Sequence, residues 1–141
     1  MRFKLTSLVM AVFAICVGAA PAFAHHGFSV EFDGSKCMDL HGTLTGLKWE
    51  NPHAYFDMAV KNPDGTVATW HLEMVTPNAL KRTGTTKEDF ESNFGKPISA
   101  RMCPAKAGEN RGAASYLALS DGLIRLVGQQ VERRSDADKH F

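Results

Sequence analysis

The sequence predicts a mainly β fold, a small barrel of five to six strands with one short helix between strands three and four. Three observations carry that expectation. Apolar residues alternate with polar ones in several short runs separated by turn signals, the period of half-buried strands. The first run changes phase at a glycine. The one strong helix start, Pro77 followed by Asn78-Ala79-Leu80-Lys81-Arg82, falls after the third run.

The working chain is expected to begin at His25. Arg2 and Lys4 form a positive start, Leu8 to Ala20 is a short apolar run, and Ala22-Phe23-Ala24 offers the small residues of a cleavage site. The apolar run is too short for a spanning helix. Residues 1–24 therefore read as a cleaved leader, 25–131 as a single domain and 132–141 as a loose charged tail. A periplasmic or secreted location follows. Cys16 is preceded by the bulky Ile15, a poor lipoprotein box, so no stable membrane anchor is expected after cleavage.

Of 141 residues, 16 are Lys or Arg and 15 are Asp or Glu. The leader holds two of the bases and no acid, which leaves 14 against 15 and a formal charge of −1. No clustered basic face results, so nucleic acid is not an expected partner.

The lead-in His25 to Ser35 contains Phe28, Val30 and Phe32 in alternation and is expected to add an edge strand. Met38 to Glu50 reads as strand one. Met38, Leu40 and Leu44 share one parity, Leu47 and Trp49 the other, and Gly46 lies between, the pattern of a bulge or bend. After the tight Asn51-Pro52 connection, Ala54, Phe56, Met58 and Val60 face inward on strand two. Pro63-Asp64-Gly65 is a hairpin turn. Ala68, Trp70, Leu72 and Met74 face inward on strand three, with Thr69, His71 and Glu73 outside. The helix at Pro77 follows, with room for another turn between Lys87 and Asn93. Lys96 to Cys103 reads as strand four, Ala107 to Gly112 as a loop, and Ser115 to Leu119 with Leu123 to Val127 as a final hairpin through Asp121-Gly122. This order resembles the oligonucleotide/oligosaccharide-binding (OB) fold, with its glycine-bent first strand. A β-sandwich of the same strands is the alternative.

Cys37 and Cys103 are the cysteines outside the leader. In an oxidising compartment a disulfide between them is the expected state, and the OB order supports it by bringing the start of strand one beside the end of strand four. A soft metal site is the alternative, since Cys37-Met38 and Met102-Cys103 each place two sulfurs side by side.

Two groups of residues are candidates for function. The first is the new terminus. His25 would offer an α-amine and an imidazole on one residue, a chelate suited to copper(II), and His26 adds another imidazole. The plain alternative is a frayed polar terminus. The second is the outward face of the hairpin. Counting from a three-residue turn, Asp57 lies opposite His71 and Tyr55 opposite Glu73. The same count across Asn51-Pro52 sets Lys48 beside Tyr55 and Glu50 beside His53. A His with a carboxylate across the ladder can be a metal ligand or a general base with its orienter. It can equally be a cross-strand pair on a wet surface. Trp49 and Trp70 read as core. His41 is outward with no evident partner. Gly-x-Ser-x-Gly, phosphate-binding glycine loops and His-Glu-x-x-His are absent, so the chain is expected not to be an enzyme.

Several blocks together resemble one family: His25-His26-Gly27-Phe28, Glu31-Phe32-Asp33, Gly42-Thr43-Leu44-Thr45, Trp49-Glu50-Asn51-Pro52-His53-Ala54, Trp70-His71-Leu72-Glu73 and Pro77-Asn78-Ala79-Leu80. It is an uncharacterised family of small exported bacterial proteins, a domain of unknown function with a His-His-(Ser/Gly)-Phe start and an Asn-Pro-His-Ala block. The resemblance implies an exported barrel-like β domain and assigns no activity. Gly27 stands where a serine is usual, and the two cysteines are not general features of that family.

The expectation is therefore an exported small binding protein that takes copper through His25, His26 and a third imidazole, His53 or His71. The alternative is an interaction module that docks on an exported or envelope protein through Lys48, Glu50, Tyr55, Asp57 and Glu73. A further reading is a small hydrolase or lyase using Asp57 and His71.

Overall fold

The computed structural model describes residues 27–128. In chain order the elements are α1 (Phe28–Glu31), β1 (Met38–Lys48), β2 (Tyr55–Lys61), β3 (Val67–Glu73), α2 (Pro77–Arg82), α3 (Lys87–Glu91), β4 (Pro97–Pro104), β5 (Arg111–Ala118) and β6 (Ile124–Leu126). The strands lie in the order β3-β2-β1-β4-β5-β6, and β3 also pairs with β5. That pairing is parallel, His71 to Arg111 and Glu73 to Ala113, and it closes a five-stranded barrel with β6 as an extra strand. The expected OB-like barrel is what forms.

The inward residues predicted from alternation make the core. Leu40, Leu44, Phe56, Met58, Leu72, Met74 and Leu117 are buried in one cluster, with Leu80 of α2 and Phe90 of α3 closing an end. Trp49 and Trp70 are partly buried against it. Burial of each large side chain contributes about 1.5–3 kcal/mol.

Strand β1 carries the phase change. Leu44 pairs with Met58 and Gly46 with Asp57, so Thr45 is the extra residue of a bulge. The bulge lets Leu44 and Leu47 both reach the core although they are three residues apart. The β2–β3 turn is as counted, with Asn62 N–H donating to Thr66 O at 2.8 Å and Gly65 at φ +88°. The Asn51–Pro52 peptide is cis.

Cys37 and Cys103 form a disulfide. The antiparallel β1–β4 ladder sets Met38 against Met102, which brings the two cysteines alongside one another. Sulfur in a disulfide is not a thiolate, so the soft-metal alternative at these cysteines is set aside.

Two expectations need correction. The lead-in is not an edge strand. It forms the helix α1, and only Phe32 makes a single bridge, to Ala105. Phe28 and Phe32 are four residues apart, so a helical turn places both rings on one side, 5.5 Å between centroids, against Ala105 and Ala113. Val30 is left 64% exposed. The helix at Pro77 forms as α2, and the further turn expected between Lys87 and Asn93 forms as α3. Thr86 and Asp89 make a reciprocal capping box that starts α3. Second, β5 begins at Arg111, four residues before the expected start. Gly112-Ala113-Ala114-Ser115 has no alternation because all four are buried, and a strand covered on both faces loses its period. Glu50 forms an ion pair with Lys48 at 2.8 Å.

Candidate functional site

The outward face of β2 and β3 gathers most of the predicted residues in the register that turn counting gave. Lys48 pairs with Tyr55, Tyr55 with Glu73 and Asp57 with His71. Side chains of alternate residues share a face, so Tyr55, Asp57, His71 and Glu73 stand together.

Asp57 Oδ1 lies 2.6 Å from His71 Nδ1. A carboxylate accepts, so Nδ1 carries the hydrogen and the Nε2 lone pair is left outward. The room for this carboxylate comes from the bulge: a Cβ on Gly46 would stand 2.5 Å from Asp57 Oδ2. The Tyr55 ring stacks on the His71 imidazole, with 4.8 Å between centroids and 7° between planes. His71 is therefore held in its plane by Tyr55 and in its rotation by Asp57, while 43% of its side chain stays exposed.

Tyr55 donates its hydroxyl hydrogen to Glu73 Oε2 at 3.1 Å. Burial, followed by the negative charge of Glu73 and this hydrogen bond, pushes the Tyr55 phenol up to about 12. Glu31 adds to the rise and Arg111 opposes it. The phenol is thus a neutral donor through the physiological range. The other Glu73 oxygen, Oε1, is 3.4 Å from His53 Nδ1, and that nitrogen also donates to Met74 O at 3.1 Å. His53 and His71 both spend Nδ1 on oxygen acceptors and stand on either side of the Tyr55–Glu73 pair.

Two residues of this face were missed in the sequence. Arg111 is the β5 partner of His71 in the parallel ladder, and its Nη2 meets Glu31 Oε1 at 2.8 Å. A weaker contact of 3.4 Å runs to Glu109. The two carboxylates hold the Arg111 guanidinium above its usual range, the Glu31 hydrogen bond foremost. No local pattern signals these contacts, because the β3–β5 pairing joins segments about 40 residues apart.

Glu31 ends α1, so the ion pair ties the lead-in to the site face. The lead-in has other anchors: Lys106 Nζ donates to Ser29 O at 2.7 Å, Lys106 N–H to Glu31 O and Asp33 N–H to Pro104 O, both at 2.9 Å. His25 and His26 lie outside the described residues, as does His140. Among the described residues no group of three His, Cys, Asp or Glu side chains is placed to hold a metal ion. His53 and His71 are thus not a centre by themselves.

His41 does have a partner, Ser99 Oγ at 2.8 Å on β4. The pair lines a shallow groove of about 200 Å³ with Gly42, Pro97, Ile98 and Leu119, on the β1–β4 side of the barrel.

A family of unknown function, DUF6152, matches residues 13–114. The chain belongs to that family. The match spans the lead-in, β1 to β4 and the start of β5, so the residues of the outward face all belong to the DUF6152 portion. No curated protein and no solved structure matches this DUF6152 chain. No helix among the described residues is long and apolar enough to cross a membrane.

Proposed function

We propose that this DUF6152 member is an exported binding protein, not an enzyme, and that it takes copper(II) through its processed terminus and one imidazole of the outward sheet face. The processed terminus would supply the His25 α-amine and imidazole, with His26 beside it. A third imidazole, from His53 or His71, would complete the nitrogen set that copper(II) favours.

The observation that carries this reading is the Glu31–Arg111 ion pair at 2.8 Å. It binds the segment that follows His25-His26-Gly27 to the face that bears both histidines. Covalent geometry keeps the Cα of His25 within about 7 Å of the Cα of Gly27. Along the chain, the terminal donors stand only five and six residues before the anchored Glu31. Export is supported by the leader pattern and by the Cys37–Cys103 disulfide, which suits an oxidising compartment.

The test is a calorimetric copper(II) titration of protein expressed with its own leader and purified after processing, its first residue read by mass spectrometry. A single tight site in protein that starts at His25, lost in the His25→Ala, His26→Ala variant, is the expected result. Equal binding by a version with one extra residue before His25 would defeat the terminal chelate. Weak binding throughout would move the function to protein docking on Lys48, Tyr55 and Glu73.

A further inference from the structure

The β1–β4 side of the barrel carries a polar pair that the copper reading does not use. His41 of β1 stands directly opposite Ser99 of β4 in the antiparallel ladder, and His41 Nδ1 lies 2.8 Å from Ser99 Oγ. Their neighbours Leu40, Ile98 and Ala100 are buried in the core. Successive side chains on a strand alternate, so His41 and Ser99 are turned outward together.

The Ser99 hydroxyl differs from other serines of the barrel. Ser35 Oγ donates to Asp33 Oδ1, Ser92 Oγ to the Asp89 carbonyl and Ser120 Oγ to Asn93 Oδ1. Those acceptors are oxygens. Ser99 Oγ meets an imidazole nitrogen instead and has no other hydrogen-bond partner among the described residues. With the ring hydrogen on Nε2, Nδ1 accepts the hydroxyl hydrogen. A serine is a weak nucleophile until a base within about 2.6–3.2 Å takes its proton, and this pair lies inside that range.

The space beside the pair suits a small acyl group. A groove of about 200 Å³ is lined by Pro97, Ile98, Ala118 and Leu119, with His41 and Ser99 as its polar side chains. Sites for drug-sized ligands run to about 300–1,000 Å³, so this one is limited to a short chain. No Asp, Glu, Lys or Arg lines it among the described residues, which favours an uncharged, apolar chain.

We infer that Ser99 is an acyl-acceptor site with His41 as its base, and that the groove takes the short apolar chain of an activated ester. Ser99 Oγ forms a bond to the acyl carbon, and the bond from that carbon to the leaving oxygen breaks. The Ser99 proton passes to His41 Nδ1 and then to the leaving oxygen, which departs as an alcohol or phenol. An ester on Ser99 remains. This modification goes beyond the copper reading and stands or falls independently of it.

The experiment is labelling of the processed protein with p-nitrophenyl butyrate, followed by p-nitrophenol release and by peptide mapping in a mass spectrometer. Parent protein is compared with Ser99→Ala, His41→Gln and Ser35→Ala, and with parent unfolded in urea. One butyryl group per chain on Ser99 is expected, absent from Ser99→Ala and retained in Ser35→Ala. His41→Gln keeps a hydrogen-bonding side chain beside Ser99 but lacks the base. General-base assistance is typically worth about 10²–10⁴-fold, so Ser99 labelling in His41→Gln should slow at least about a hundredfold. A merely structural hydrogen bond would not produce that difference, and circular dichroism confirms the fold of each variant. Ser99 labelling in the folded parent that is no faster than in the unfolded chain would overturn the proposal. So would equal rates in parent and His41→Gln, or butyryl groups found only on lysines or on His41.

Discussion

Asp57 and His71 meet across β2 and β3 at 2.6 Å, and the contact depends on a glycine in a third strand. Gly46 pairs with Asp57 just after the β1 bulge. Any side chain there would occupy the space of the Asp57 carboxylate. The same glycine that ends the alternation of β1 therefore shapes the face two strands away.

Gly46→Ala is the direct check on that relationship. Overpacking of this kind costs typically about 1–3 kcal/mol, and the displaced carboxylate no longer reaches Nδ1. Nitrogen-15 spectra of His71 should show the Nδ1–H tautomer in the parent and a mixture in the variant. An unchanged tautomer would show that Asp57 has room elsewhere.

The disulfide spans 66 residues of sequence. In the chain-entropy model a loop of this size contributes about 4 kcal/mol. Urea unfolding of a Cys37→Ala, Cys103→Ala variant should lose roughly that amount. A loss below about 1 kcal/mol would mean that the β1–β4 ladder already constrains the unfolded chain or that the bond strains the native one.

Tyr55 gives a pH signature. Its phenol is raised to about 12 in the fold against an ordinary value of 10.0. A raised acid binds its proton more tightly when folded, so this contribution to stability is fully present below pH 10. It is lost as pH rises from 10 to about 12. Ultraviolet titration should find a tyrosine ionising near 12, and Glu73→Gln should lower that step because it removes the carboxylate charge and the acceptor. No movement on Glu73→Gln would leave burial as the whole cause.

The Glu31–Arg111 pair can be tested without metal. Glu31→Gln is expected to change global stability by less than about 1 kcal/mol, because the pair is partly exposed. Hydrogen exchange at the Phe32 and Lys106 amides, which bond to Phe28 O and Glu31 O, should nonetheless speed up as α1 loosens. Exchange that stays slow would place the anchoring in the packing of Phe28 and Phe32 and in the Lys106 and Asp33 hydrogen bonds.

Much of the barrel was legible because its strands obey local rules. Alternation named the inward residues of β2 and β3, and Pro63-Asp64-Gly65 set their register, so Asp57 against His71 and Tyr55 against Glu73 followed by counting. The phase change at Gly46 marked the bulge. Phe28, Val30 and Phe32 were misread because a short run fits period two and period 3.6 alike, and only the surface of Ala105 and Ala113 decides between them. Gly112-Ala113-Ala114-Ser115 was invisible as strand because small buried residues carry neither alternation nor β-branching.

By itself, then, the sequence determined the β-hairpin and its register, the glycine bulge, the helix start at Pro77 and the pairing of the two cysteines. These depend on turn geometry, on the two-residue period of a strand and on redox chemistry, all of which act over short stretches or on a single possible partner. Tertiary structure alone decided that Arg111 joins His71, that Glu31 reaches Arg111, and that this ion pair ties α1 to the barrel. Those contacts follow from the parallel closure of β3 on β5. Closure is a property of the whole sheet, set by the bending of β1 and the packing of the core, and no neighbouring residues encode it.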